Sequence, residues 1–174
     1  KLDANQACVS KRSIVSVGSG VIYASPDGLC MCDGTGVRLL TQEHFSRADW
    51  QAYVPSSIIA AEHDGTYFAF YNTGTVQGCL ALDMATKQIT HLAIAASAVH
   101  LDRVTDTLYI AQNTSIIALF VGSTYRTGRW RSKLFTLPAH APMGWLAVDH
   151  DGTANITVRI FVDGGSTAWY TATI

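Results

Sequence analysis

Three stretches of this chain alternate apolar with small or polar residues beside a turn signal, and they recur about 41–45 residues apart. The first is Gly20-Val21-Ile22-Tyr23-Ala24-Ser25, the second Gly65-Thr66-Tyr67-Phe68-Ala69-Phe70-Tyr71, the third Asp106-Thr107-Leu108-Tyr109-Ile110-Ala111. A second apolar run follows each, at 29–32, 78–82 and 115–121. Period-two alternation predicts half-buried strands, and the repeat length is that of a β-propeller blade. One such small antiparallel sheet cannot bury both faces alone, so neighbouring sheets must stack.

The turns between these runs have a mechanism. In Ser25-Pro26-Asp27-Gly28 the proline presets φ and the glycine closes a hairpin into 29–32. Asp33-Gly34-Thr35-Gly36 reverses the chain into 37–40, and Asp64-Gly65 joins strands at 58–63 and 65–71. Asn72-Thr73-Gly74 ends that strand, and 79–83 then leads to an outer strand at 89–92. The segment 93–100, helical by composition, is read as the bend and inner strand opening the next repeat. The β pattern breaks at 41–53. There Ser46-Arg47-Ala48-Asp49 has the form of a capping box, Trp50 follows, and Pro55 stops the turn. One short helix at about 46–53, anchored by a buried Trp50, is expected.

Beyond Gly128 the pattern changes to Trp130-Arg131-Ser132-Lys133-Leu134-Phe135, then 145–149, 156–162 and 168–173, with an Asp163-Gly164-Gly165 turn. These read as antiparallel strands of a separate module. The expected fold is all-β, with propeller-like repeats over 1–133 and a C-terminal strand module over 134–174.

Composition narrows the function. Of 174 residues 48% are hydrophobic and 14% charged, which excludes a disordered chain, and the net charge of −1 excludes a broad basic DNA-binding surface. Arg126, Arg129, Arg131 and Lys133 form the one basic cluster, read as the solvated face of a strand. No apolar leader follows Lys1-Leu2-Asp3, and the longest low-charge run, 92–101, is too short to span a bilayer. A chain processed or excised from a longer protein is the expectation. Cys30-Met31-Cys32 puts two thiols on one strand face, but with Cys8 and Cys79 it lacks zinc-ligand spacing. Reduced, buried thiols without a metal are expected.

No catalytic signature is present among the hydrolase, zinc-protease, P-loop or dinucleotide patterns. Gly18-Ser19-Gly20 lacks a third glycine and a following helix, and Ser25-Pro26-Asp27-Gly28 lacks the spacing of a sialidase-type Asp-box. Glu62-His63-Asp64 and Asp149-His150-Asp151 could bind a cation or run acid–base chemistry. Both sit at expected turns, where such residues belong for conformational reasons. Tyr67, Phe68, Phe70, Tyr71, Trp169 and Tyr170 could line a sugar site, though strand aromatics are commonly core and cross-strand pairs.

Several segments together resemble the tail proteins of short-tailed bacteriophages and related prophages. They are 20–29, Phe45-Ser46-Arg47-Ala48-Asp49-Trp50 with Pro55-Ser56-Ser57-Ile58, Glu62-His63-Asp64-Gly65-Thr66-Tyr67-Phe68, and Asp106-Thr107-Leu108-Tyr109 with Trp130-Arg131-Ser132-Lys133. The resemblance implies a propeller-bearing tail hub, or nozzle, forming a ring around the genome-delivery channel. It also implies a virion-tail location after assembly in the host bacterial cytoplasm, with other copies or other tail proteins as partners and DNA only as passing cargo. It brings no catalytic residue, cofactor, metal or membrane anchor, and its members are longer than this chain. A carbohydrate- or receptor-binding β module at the tail tip is the alternative, and a glycosidase using Glu62, Asp64, Asp149 and Asp151 a third reading. Three repeats leave open sheet edges, so self-association, or completion by strands from 145 onward, is expected.

Overall fold

The alternating segments become strands of three antiparallel sheets. The computed structural model describes residues 5–122, 128–129, 131–132, 136, 147–148 and 155–174. The chain divides into two units, Lys1–Tyr125 and Arg126–Ile174.

In the first unit, β1 (Val15–Ser16), β2 (Gly20–Ala24), β3 (Leu29–Asp33) and β4 (Gly36–Leu39) form a four-stranded meander. Helix α1 (Arg47–Gln51) follows. A second four-stranded meander is built from β5 (Ile59–His63), β6 (Thr66–Asn72), β7 (Gln77–Asp83) and β8 (Ile89–Leu92). The third sheet has three strands, β9 (Ala98–Asp102), β10 (Thr107–Gln112) and β11 (Ser115–Ala118). The second unit contributes one antiparallel pair, β12 (Thr157–Ile160) and β13 (Tyr170–Thr173). Short 3-10 turns at Lys11–Ser13 and Pro55–Ser57 are the other helical elements among the described residues. The all-β class expected from the sequence, with one short α-helix, is the class observed. Strand β11 is shorter than the run 115–121, and the segment 93–100 resolves into an extended approach and β9. The strands expected at 130–135 and 145–149 lie largely outside the described residues.

The alternation in β6 explains the layering. Tyr67 and Ala69 join Ile22, Ala24, Leu29, Met31 and Trp50 in a core between the first and second sheets. Phe68 and Phe70, one residue out of phase, join Leu108, Ile110 and Leu119 in a core between the second and third sheets. Strand β7 divides in the same way, Leu80 and Leu82 to one side, Cys79 and Ala81 to the other. Each fully buried large side chain contributes about 1.5–3 kcal/mol. Burial also pushes the Cys79 thiol up to about 12, so it stays protonated at neutral pH.

The turns follow their chemistry. Asp64 and Gly65 both take positive φ, at 48° and 70°, as a two-residue type I′ hairpin between His63 and Thr66 requires. Asp33, Asp83 and Asp102 each accept a backbone amide two residues on, at 2.8, 2.8 and 2.9 Å. Hydrogen bonds hold all three carboxyls below the ordinary value of 3.8, chiefly from the Thr35 hydroxyl and amide at Asp33, the Thr86 amide at Asp83 and the Val104 amide at Asp102. A carboxyl depressed in the folded state stabilises the fold above its unfolded value and loses that contribution as pH falls through the folded value. Stability is therefore expected to hold near neutrality and to fall on acidification below about pH 4. The combined Asp33→Asn, Asp83→Asn and Asp102→Asn variant should flatten that acid limb in urea titrations at stepped pH.

The capping box forms as expected. Ser46 Oγ accepts the Asp49 amide at 3.2 Å, and the Asp49 carboxylate takes the Ser46 amide at 3.3 Å. Trp50 is fully buried. Trp50→Ala should destabilise the protein by about 3–5 kcal/mol. Ser46→Ala should cost about 1 kcal/mol. Chemical denaturation checks both, and an unchanged midpoint for Trp50→Ala would remove the anchor.

Candidate functional site

Helix α1 is too short to be stable alone, and the hairpin turn Ser25–Gly28 holds it. Trp50 Nε1 donates to the Ser25 carbonyl at 2.9 Å, and Gln51 Nε2 donates to the Pro26 carbonyl. Arg47 Nε lies 3.2 Å from Asp27 Oδ1. From the other side, Gln6 Nε2 donates to Asp27 Oδ2 at 2.8 Å, while Gln6 Oε1 accepts the Ser25 hydroxyl at 2.7 Å. The turn is thus a node joining the N-terminal segment, the first sheet and α1.

That docking places Tyr53, two residues beyond α1, against the second sheet near the end of β6. Its ring meets Tyr71 edge-on, with centroids 4.9 Å apart at 70°, and Phe45 at 5.5 Å and 66°. Such edge-to-face pairs are favoured by the ring quadrupole. Tyr71 in turn lies over Gly78, its cross-strand partner. A Cβ on Gly78 would come within 2.5 Å of the Tyr71 hydroxyl, so only glycine leaves the ring its place. Beside the two tyrosines opens a groove of about 370 Å³ lined by Asp49, Ala52, Tyr53, Tyr71, Thr73 and Val76. Burial raises both tyrosine hydroxyls above their ordinary value of 10.0, and at Tyr53 the neighbouring Tyr71 and the Asp49 carboxylate add to the rise. Thr73 Oγ1 accepts the Val76 amide at 2.9 Å and donates to its carbonyl at 3.1 Å, which fixes the hairpin tip at the groove wall. A second concavity, about 500 Å³, shares Thr73 and reaches Arg12, Ser57, Asn72 and Ser97.

Of the residues singled out by sequence, Glu62, His63 and Tyr67 make structural contacts. Glu62 Oε1 accepts the Gly65 amide at 3.0 Å and closes the β5–β6 turn. His63 Nε2 reaches into the third sheet, 3.0 Å from the Asp106 carbonyl, and its ring stacks on Phe120. Asp64 is an exposed turn residue. Asp149, His150 and Asp151 lie outside the described residues. Tyr67, Phe68 and Phe70 are core, and Tyr67 donates from its hydroxyl to the Ser13 carbonyl at 2.6 Å. Trp169 and Tyr170 are exposed at 69% and 52%. Arg129 and Arg131 are exposed, Arg131 with its guanidinium 5.8 Å from the Phe161 ring centroid, while Arg126 and Lys133 lie outside the described residues.

The thiols are not uniformly buried. Cys30 and Cys79 are, Cys32 is half-buried, and Cys8 is exposed with its thiol directed to the Ser10 carbonyl. Among the described residues no group of three or more His, Cys, Asp or Glu side chains could hold a metal ion, and no helix is long and apolar enough to cross a membrane.

Nothing in the local sequence pattern marks Tyr53 or Gly78 as site residues. The signal for Gly78 is a glycine opposite an aromatic in a hairpin register, visible once the Asn72–Gln77 pair is known. Gly78→Ala should displace the Tyr71 ring and remove its edge contact with Tyr53. The lost aromatic pair, about 0.5–1.5 kcal/mol, is offset by the entropy gain of about 0.5–1 kcal/mol for replacing a strand glycine. The expected readout is a loss of the Tyr53 ring-current shift by NMR with little change in melting temperature. No protein-family model matches this chain, and no curated protein matches it.

Proposed function

We propose that this chain is a non-catalytic assembly module, a run of β-propeller blades that contributes to a phage or prophage tail hub around the genome-delivery channel. The observation that carries the assembly reading is the repeated facing of the sheets. Counted from the first residue of each strand, Ile22 and Ala24 of β2 correspond to Phe68 and Phe70 of β6 and to Tyr109 and Ala111 of β10. The first pair packs toward the second sheet and the second pair toward the third. The third pair shares a face with Ala98, His100, Ile116 and Ala118, which neither of the other two sheets of the first unit covers.

This is a head-to-tail arrangement, and a head-to-tail interface either closes into a ring or runs on. Two copies of three sheets would make six blades, inside the roughly four to eight of closed propellers. A second copy is therefore the proposed cover for the open face, on which Ile116 is 78% exposed. The tail assignment rests on the sequence resemblance of the segments named above. The non-catalytic reading is supported by Glu62 and His63, which serve turn and inter-sheet contacts.

Sedimentation velocity tests the assembly. The wild-type chain should associate with rising concentration, and a Tyr109→Lys, Ile116→Lys variant should remain monomeric with an unchanged far-ultraviolet spectrum. A wild-type chain that stays monomeric throughout, or polysaccharide turnover abolished by Glu62→Gln, would overturn the reading.

A further inference from the structure

The groove beside α1 has a composition that assembly does not require. Two tyrosine rings stand at 70° to each other at its wall, and Ala52 and Val76 complete the apolar lining. Val76 is 56% exposed at the hairpin tip, so the groove is open to solvent. The polar groups are also specific. The Asp49 carboxylate is held at the rim by its capping contacts, Oδ2 taking the Ser46 amide at 3.3 Å and the Ser46 hydroxyl at 2.6 Å. Those contacts engage one oxygen and leave Oδ1 for other donors. The hydroxyls of Tyr53 and Tyr71 make no protein hydrogen bond among the described residues. The parts are locked in place before any ligand arrives: Trp50 pins α1 to the Ser25 carbonyl, and Gly78 seats Tyr71.

We propose that this groove is a saccharide-binding site. A pyranose ring presents an apolar C–H face and a rim of hydroxyls. The C–H face matches a tyrosine ring, and the hydroxyls match a carboxylate acceptor and two phenol groups that both donate and accept. About 370 Å³ is room for one or two sugar rings rather than a long chain. An organic ammonium ion would also be attracted to aromatic rings beside a carboxylate. It would leave both phenol hydroxyls unused, which is why the polyol is the better fit. The site is independent of the open face of the third sheet, because its residues lie in α1, the segment after it, and the β6–β7 hairpin.

The test is titration calorimetry and ligand-observed NMR on the intact chain, with galactose, N-acetylglucosamine and their short oligomers, and with choline as the cationic comparison. Saturable binding of at least one sugar in the millimolar range or tighter is expected. Tyr71→Ala should weaken it by roughly tenfold or more, and Tyr71→Phe, which keeps the ring and removes only the hydroxyl, by a few-fold. Val76→Arg changes only an exposed tip residue and should block the groove with the fold intact, as read by circular dichroism. Choline binding more tightly than every sugar would reassign the site to organic cations and overturn the proposal. So would absence of sugar binding in the wild type, or sugar binding that Val76→Arg and Tyr71→Phe leave unchanged.

Discussion

Burial of both faces of the second sheet is the constraint on which the first unit depends. A strand that packs on one side can carry polar residues on the other; β6 and β7 cannot, because a sheet lies against each face. Their sequences comply, with Tyr67, Ala69, Leu80 and Leu82 on one side and Phe68, Phe70, Cys79 and Ala81 on the other. A register slip of one residue would exchange the two sets and place Phe68 and Phe70 against Trp50 and Leu29, where the space is shaped for Tyr67 and Ala69. The flanking sheets are positioned by this middle layer.

The same double packing explains the duties of the histidines. His44 Nε2 lies 2.7 Å from the Lys87 carbonyl, and His63 Nε2 lies 3.0 Å from the Asp106 carbonyl. Both acceptors belong to turn residues with positive φ, 63° at Lys87 and 48° at Asp106. A carbonyl in such a turn has no strand neighbour, and an imidazole from 43 residues earlier satisfies it. The His63 contact is a stitch from the second sheet to the turn that opens β10. Glu62 does comparable work within its own turn.

Helix α1 links the layered core to the surface groove. Its buried end, Trp50, shares the core of the first two sheets, and its docking turn gathers Gln6, Arg47 and Gln51 around Ser25–Gly28. The residue that follows from this geometry is Tyr53, brought against Tyr71 near the end of β6. A stable interior and an open aromatic wall are therefore two ends of one short element. Because the wall is set by buried contacts, its shape does not wait on a ligand.

The strands, the hairpin turns, the capping box and the all-β class were legible in the chain, because each rests on residues adjacent in sequence or on a period of two. Asp64-Gly65 specifies its turn through backbone sterics alone, and Ser46 with Asp49 specifies a helix start within four residues. The repeat spacing announced stacked sheets. The candidate groove was not legible, since Tyr53, Tyr71 and Gly78 come together only after α1 has docked and β6 has paired with β7 in one register. Nor were the contacts of Glu62 and His63 legible from type and spacing, because their partners are a nearby amide and a carbonyl 43 residues away. Local sterics and alternation by themselves determined the elements of this protein; the pairing of distant backbone groups, which only the folded chain brings within hydrogen-bond reach, decided what its polar and aromatic side chains do.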